Sequence, residues 1–266
     1  MAIKLIPKEI RKADWPEADF LTQEQQEAYK QACNQYSGKA RDSLNISKNA
    51  SNLFKILLLN QIGITTSTLP QLEEAVENGL DLKNFYVDGR EVVLRSAGDS
   101  HSPNDYLAKN LADYFAREHF ETPLVIRGLR IRQDDNSDYG LLLVPTDKTE
   151  IFEAPDLGDE NNGRRFSKIN PDYSIEFDEE NGTKTLFTRK DGLSGFCLSR
   201  GQYLDSGSRY LADSNSDGRV VVVSAGGAQE NFDECLSQLK KERDAQATKL
   251  REKFNKAIGI LRGQSQ

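Results

Sequence analysis

The chain has 266 residues, of which 29% are charged and 37% are hydrophobic, and its formal net charge is −7. It is long enough to bury a core in one large domain or two modest ones, and no apolar run is long enough for a transmembrane helix. The net charge is −4 over residues 61–130 and −7 over residues 131–227. This acidic middle repels nucleic-acid phosphates, which argues against a general nucleic-acid coat.

The cysteines and the first residues indicate the compartment. The three cysteines, Cys33, Cys197 and Cys235, lie too far apart for a disulfide framework or a metal site. Glu9 and Arg11 interrupt the N-terminal segment before the core of a signal peptide could form. We therefore expect a reduced, cytoplasmic protein without membrane contact.

The first 120 residues show mainly helical patterns. They predict a helix from Thr22 to about Gly38, a helix over 47–62, a short helix from Thr68 to Gly79, a hairpin over 85–95 that turns at Asp88-Gly89, and a helix that opens at Ser102-Pro103. Thr22 followed by Gln25 is a capping box, because each side chain can satisfy a free backbone amide of the other. Asp-Gly suits the positive φ angles of a tight hairpin turn.

Residues 130–145 and 209–224 repeat one pattern at a constant offset. The matching pairs are Arg130 and Arg209, Asp134 and Asp213, Asn136 and Asn215, Ser137 and Ser216, Asp138 and Asp217, and Val144 and Val223. In both copies an arginine segment leads through a polar turn into four aliphatic residues, which predicts two similar β-hairpins. Glu180-Asn181-Gly182 predicts a further hairpin turn.

The last segment has a helical repeat. Apolar residues recur there at helical spacing: Leu239, Ala247, Leu250, Phe254, Ala257 and Leu261. This pattern predicts a long helix from Gln229 to about Leu261, which packs on its own domain or pairs with a partner helix.

The order of these elements predicts an α+β protein. We expect a mainly helical region with one hairpin over 1–120, an antiparallel β-rich region with the two similar hairpins over 121–227, and a long C-terminal helix over 228–266.

The second polar turn matches the first half of a calcium-binding loop. Asp213, Asn215 and Asp217 alternate, so their oxygen atoms could face one cation, and Gly218 would allow the sharp turn. The twelfth position should be a bidentate glutamate, yet it is Ser224. The alternative is a solvated turn whose short polar side chains stabilise the bend. We expect no cofactor apart from this candidate calcium site.

The helix over 47–62, Gly63 and the helix from Thr68 resemble the helix-turn-helix of bacterial repressors, and the hairpin over 85–95 would resemble the wing of a winged helix. This resemblance implies that the second helix reads DNA. However, that helix would present acidic side chains and no Lys or Arg, and carboxylates repel phosphates. A small helical bundle with an ordinary turn explains the same spacing.

Two serine motifs suggest hydrolysis. Gly98-Asp99-Ser100 resembles the nucleophile block of the GDSL esterases, which implies a late histidine as base, but the only histidines are His101 and His119. Gly192-Leu193-Ser194-Gly195 is one residue short of a nucleophile elbow.

Three hypotheses remain, in order of preference. The first is a non-catalytic binding or assembly protein that binds a protein partner or associates with itself through the C-terminal helix. The second is a winged-helix DNA-binding regulator with a β-rich sensor domain, which the acidic charge disfavours. The third is a divalent-metal-dependent enzyme built from acidic residues, such as a nuclease.

Overall fold

The centre of the fold is a nine-stranded sheet. The computed structural model describes residues 17–46, 50–115 and 120–224. The strands are β1 (Glu17–Phe20), β2 (Tyr86–Leu94), β3 (Leu124–Arg127), β4 (Arg130–Gln133), β5 (Leu141–Val144), β6 (Glu150–Glu153), β7 (Arg165–Ile169), β8 (Ile175–Phe177), β9 (Lys184–Phe187), β10 (Leu193–Ser199), β11 (Tyr203–Asp205), β12 (Gly218–Arg219) and β13 (Val221–Ser224). The order in the large sheet is β6-β3-β2-β10-β11-β9-β7-β8, with β12 beside β2. Separate two-stranded sheets join β1 to β13 and β4 to β5.

Helices pack on these strands. Their bounds in the described residues are α1 (Gln23–Cys33), α2 (Gly38–Leu44), α3 (Leu53–Gln61), α4 (Leu69–Glu77) and α5 (Ser102–Tyr114). Thr22 and Thr68 form capping boxes that start α1 and α4, and Asn52 caps α3. α3 is apolar around most of its circumference and its residues 53–59 are all buried, as expected for a helix inside a core.

Two hydrophobic clusters lie on opposite faces of β2. Val92 and Leu94 belong to the cluster that contains α3 and α5, whereas Val93 belongs to the cluster that contains Leu69 and Leu72 of α4. Successive strand side chains point to opposite faces, so one central strand supplies both cores. This arrangement explains why Val92 to Leu94 form an uninterrupted apolar run rather than an alternating one.

The predicted α+β arrangement, with a helical region followed by a separate antiparallel β region, is wrong. β1 and β2 lie in the first 120 residues, and β2 pairs with β3 and β10 on its two sides. α3 and α4 both pack against β2. The sheet is also mixed, because β9 runs parallel to β11 and β12 runs parallel to β2. Periodicity showed the elements but not their long-range pairing.

The second of the two similar hairpins does not form. The first copy is a hairpin, in which β4 and β5 pair antiparallel from Arg130 opposite Val144 onward. In the second copy β12 joins β2, and β13 pairs with β1. The reason is burial: Val220, Val221 and Val222 are all buried, and β1 pairs with Val221 and Val222.

Two more predicted hairpins are wrong. Residues 86–94 form the single strand β2, because pairing on both sides outweighs the turn preference of Asp88-Gly89. Residues 178–182 do form a turn, in which the Gly182 amide donates to the Asp178 carbonyl. However, the strands that flank it, β8 and β9, are not neighbours, since both pair with β7.

The helix predictions before residue 115 fare better. The starts of the helices at Thr22, Thr68 and Ser102 are confirmed. The first of them ends at Cys33 rather than near Gly38, where the unpredicted α2 begins, and the helix predicted over 47–62 begins only at Leu53. The long helix predicted over 228–266 lies outside the described residues. None of the helices in the described part of the chain combines the length and the apolar character needed to cross a membrane.

Candidate binding face

Four adjacent strands, β2, β10, β11 and β9, align their side chains in rows across the sheet. In register, the first row is Tyr86, Ser199, Tyr203 and Thr185, and the second row is Asp88, Cys197, Asp205 and Phe187. The residues that alternate with them, Val87, Leu198, Leu204 and Leu186, are buried in the cluster under α4. The two rows therefore share the opposite face of these strands.

The β9–β11 end of this face exposes two aromatic rings. Phe187 is 41% exposed and Tyr203 is 37% exposed, and their ring centroids lie 5.9 Å apart. Half-buried Asp205 is the register partner of Phe187, and half-buried Thr185 is that of Tyr203. We call these four residues the aromatic face. Exposed neighbouring aromatics on a strand whose other face is buried form a surface available for contact.

The β2 end of the same rows is covered. The Tyr86 hydroxyl donates to the Ser51 carbonyl at 3.0 Å and accepts from the Asn215 amide at 3.2 Å. Beneath this cover, Asp88 Oδ2 is buried without a hydrogen-bond partner. Burial, reinforced by the charge of Asp205, raises the pKa of Asp88 to about 6.

Cys197 lies between the two carboxylates. Its register partners are Asp88 on β2 and Asp205 on β11. Burial raises the pKa of the Cys197 thiol well above its usual value, and both neighbouring carboxylates raise it further. A thiol in this environment is a poor nucleophile, because the thiolate is the reactive form. Asp205 itself is held by the Gly207 amide at 2.7 Å, and burial raises its pKa.

The calcium-loop residues lie in the turn beside Tyr86. Asn215 Oδ1 accepts from the Asp217 amide at 2.9 Å, and the Asp217 carbonyl accepts from the Tyr86 amide at 3.2 Å. Asp213 is exposed at the edge of the turn. Within residues 17–46, 50–115 and 120–224, no three His, Cys, Asp or Glu side chains are grouped so that they could hold a metal ion. Calcium binding by Asp213, Asn215 and Asp217 stays a prediction.

Neither serine motif presents its hydroxyl to a histidine. Ser100 Oγ donates to Asp191 Oδ1 at 3.2 Å and also lies 3.2 Å from the Arg189 guanidinium. The His101 ring instead contacts the Tyr210 ring, with centroids 5.0 Å apart. Ser194 is fully buried within β10 and cannot meet a substrate. The arrangement that a serine hydrolase requires is not formed around these two residues.

A buried arginine was not predicted from the sequence. Arg95 is 7% exposed, and its guanidinium donates to the Leu157 carbonyl, to the Ser206 carbonyl and to the hydroxyls of Ser194, Thr188 and Ser206. Burial lowers its pKa to about 9. All these partners are neutral, so this cluster cross-links strand ends rather than forming an ion pair. Its one sequence signal is an arginine directly after the apolar end of β2.

Two buried carboxylates hold α4 on the sheet. Glu73 pairs with Lys184 of β9 and accepts from the Ile169 amide at 2.8 Å. Glu91 accepts from the Leu69 amide at 3.0 Å and from the Tyr173 hydroxyl at 2.7 Å. These two acidic residues therefore fix the packing of α4 on the sheet. The sequence alone did not show that they are buried rather than exposed to solvent.

No protein-family model, curated protein or solved structure gives a significant match to this chain.

Proposed function

We propose that this chain is a non-catalytic binding protein that acts through protein–protein contacts. Its aromatic face would bind a partner segment that carries an arginine or lysine side chain. The observation that carries this proposal is the exposed pair of Phe187 and Tyr203 beside the carboxylate of Asp205.

Aromatic side chains support a binding role because they provide large contact areas at a low cost in conformational entropy. They are enriched in the centres of protein interfaces. Phe187 and Tyr203 stand on β9 and β11, whose other face is fixed in the core through Leu186 and Leu204. The rings are thus presented by a rigid element, which reduces the ordering cost of association.

Charge supports a cationic partner. Residues 61–227 carry a net charge of −11, the sum of −4 and −7, and Asp205 lies in the same row as Phe187. A guanidinium group can stack on an aromatic ring while it donates to a carboxylate. An acidic surface also accelerates encounter with a basic segment.

The alternative functions have less support. The winged-helix hypothesis needs a wing at residues 85–95, and this segment is the central strand β2. It also needs a free second helix, whereas every residue from Leu69 to Val76 in α4 is buried or half-buried. The metal-dependent enzyme would require converging carboxylates, and the described residues contain no such group of three. Self-association through residues 228–266 stays a separate prediction, in addition to binding at the aromatic face.

The proposal can be tested with defined peptides. We would measure binding, by fluorescence anisotropy on the full chain, of labelled peptides in which an arginine is flanked by apolar residues. Matched peptides would carry citrulline or glutamate in place of arginine. The variants are Phe187→Ser with Tyr203→Ser, and Asp205→Asn; Tyr114→Ser, which removes an exposed tyrosine outside the aromatic face, is the control.

We expect saturable binding of arginine peptides that weakens at least about tenfold in the double aromatic variant, since a residue at the centre of an interface costs about 2 kcal/mol or more when it is truncated. Asp205→Asn should reduce the preference for arginine over citrulline, and Tyr114→Ser should change nothing. Equal binding by the double variant, or a preference for glutamate peptides, would overturn the proposal.

A further inference from the structure

A groove runs along β4 on a part of the molecule separate from the strands of the aromatic face. Its walls are residues 35–36, which follow α1, the end of α3 and the whole of β4, and its volume is about 310 Å³. The lining residues are Gln35, Tyr36, Gln61, Arg130, Ile131, Arg132 and Gln133. This volume lies at the lower end of the range for small-molecule sites. We call it the β4 groove.

The charge of the β4 groove is unusual for this chain. Arg130 and Arg132 alternate on β4 and therefore share one face, and both are exposed. Among the residues that the structure describes, neither guanidinium lies within ion-pair distance of a carboxylate. The lining contains no Asp or Glu, although the chain carries a net charge of −7. Two neighbouring cations without counterions favour an anionic ligand.

The nearest acidic residue along the chain is already engaged elsewhere. Asp134 follows β4 directly, but its Oδ1 accepts from the Asn136 amide at 3.0 Å and its Oδ2 accepts from the Tyr106 hydroxyl at 3.1 Å. It is therefore held in its own turn and by α5, and it is not among the lining residues. Within residues 17–46, 50–115 and 120–224, neither arginine side chain has an ion pair, and both are exposed to a ligand.

Neutral donors complete the groove. Gln61 Oε1 accepts from the Ile131 amide at 3.2 Å, and the Gln61 side chain also hydrogen-bonds the Tyr36 hydroxyl. Gln133 Oε1 accepts from the Ser37 amide at 3.1 Å, and Gln133 Nε2 donates to Asp135 Oδ1 at 3.5 Å, so this side chain is held in place and lies between the groove and the Asp135 carboxylate. Burial raises the pKa of Tyr36, which therefore keeps its proton and can donate to an anion. The groove thus combines the two guanidinium groups of Arg130 and Arg132 with one neutral donor, the hydroxyl of Tyr36.

We infer that the β4 groove is a binding site for a phosphate-bearing anion, either free phosphate or a small phosphate monoester. A phosphate group has several oxygens that can accept from two adjacent guanidinium groups and a hydroxyl at the same time. A monoester would place its organic part against the Tyr36 ring. This inference is independent of the aromatic face and would hold whether or not that face binds a peptide.

The sequence repeat supplies a matched control for this site. Arg209 occupies the position in the second copy that Arg130 occupies in the first, and it is also exposed. However, its guanidinium lies 5.8 Å from the centre of the Tyr210 ring, and it is not a groove residue. Arg209→Gln therefore removes the same charge from the same chain without touching the groove.

The experiment is calorimetric titration of the full chain at low ionic strength, where exposed arginines are least screened. The probes are inorganic phosphate, glycerol 3-phosphate and, as a carboxylate comparison, succinate. The variants are Arg130→Gln with Arg132→Gln, Tyr36→Phe and Arg209→Gln. Thermal melting of each variant checks its folding, which exposed glutamine substitutions should not disturb.

We expect one saturable site for phosphate or glycerol 3-phosphate, and the tighter of these two probes identifies free anion or monoester as the ligand. Binding should weaken by about tenfold or more for each lost arginine, as for other hydrogen bonds to charged groups. It should weaken several-fold in Tyr36→Phe and stay unchanged in Arg209→Gln. Absence of saturable binding, equal binding by the double arginine variant, or binding of succinate as tight as that of phosphate would each overturn the inference.

Discussion

Glu73 and Lys184 form a buried ion pair that connects α4 to β9 across 111 residues of sequence. Both side chains are almost inaccessible, and each has a second polar partner: the Ile169 amide donates to Glu73, and Lys184 donates to the Ser167 carbonyl. A buried pair of this kind gives little net stability by itself. Removal of one partner, however, leaves the other charge buried without a counterion, which is strongly destabilising.

We therefore predict that Lys184→Met destabilises the protein by about 3–5 kcal/mol, because it leaves the Glu73 carboxylate buried without a counterion. The double variant with Glu73→Gln should be more stable than Lys184→Met alone, since glutamine keeps an acceptor for the Ile169 amide. Urea denaturation measures both. Arg164→Met, which breaks an exposed pair with Glu179, is the control and should cost about 1 kcal/mol or less. A double variant less stable than Lys184→Met would contradict this account.

The buried Asp88 carboxyl group makes the stability of the fold depend on pH. Its pKa rises in the folded protein from 3.8 to about 6, first through burial and then through the charge of Asp205, whose own pKa burial also raises. The folded state therefore binds more protons than the unfolded state between these values, so this contribution to stability is largest below about pH 4 and is lost as the pH rises through about 6. Other groups that face it are Tyr86, Cys197 and Ser51.

Asp88→Asn should remove this dependence. We expect the variant to be more stable than the original chain at pH 7.5, by about 1–3 kcal/mol, and to lose the advantage near pH 4, because 1 pKa unit corresponds to about 1.4 kcal/mol. Thermal melting across this pH range would measure the difference. Asp147→Asn, on an exposed residue, should leave the profile unchanged. A parallel profile for Asp88→Asn would show that Asp88 does not titrate in this window.

Gly89 shows one reason why the hairpin predicted over 85–95 differs from the observed strand β2. Asp88-Gly89 suggested a turn, yet the glycine is needed because a Cβ at this position would collide with the Leu69 side chain and Glu91. The capping boxes at Thr22 and Thr68 were predictable, since they depend on residues three apart in sequence. The position of β2 was not, since it depends on strands at least 30 residues away.

The candidate sites show the same limit. The repeat at Arg130 and Arg209 was visible in the sequence, but the groove around Arg130 also requires residues 35–36 after α1 and the end of α3. The aromatic face requires a parallel pairing of β9 with β11, which no local pattern indicates. Local patterns thus predicted individual residues of interest, while their neighbours depended on tertiary pairing.

Gly89→Ala provides a direct test of the close contact between α4 and β2. We expect a destabilisation of about 1–3 kcal/mol, typical of overpacking, because the new methyl group must displace Leu69. Combination with Leu69→Ala should recover less than the full loss, since the shorter side chain makes room but leaves a cavity. Gly98→Ala is the control, because an added Cβ there meets only Asp105 at 3.9 Å. If Gly89→Ala and Gly98→Ala had equal unfolding free energies in urea, the packing of α4 on β2 would be looser than described.

Arg95 is the centre of a buried hydrogen-bond cluster. Arg95→Met removes five hydrogen bonds to Leu157, Ser194, Thr188 and Ser206. Each of these groups keeps one other partner, since the hydroxyls of Thr188, Ser194 and Ser206 donate to the carbonyls of Leu157, Ser206 and Phe187. It also removes an unpaired charge, whose burial is itself costly, as its lowered pKa indicates. We expect the lost hydrogen bonds to dominate, because a hydrogen bond to a charged group contributes about 1.5–3 kcal/mol. Arg95→Met should therefore lower the unfolding free energy by more than about 2 kcal/mol in urea denaturation.

Arg209→Met, on an exposed arginine, is the control and should change the unfolding free energy by less than about 0.5 kcal/mol. A neutral or stabilising effect of Arg95→Met would mean that the cost of the buried charge exceeds the value of its hydrogen bonds.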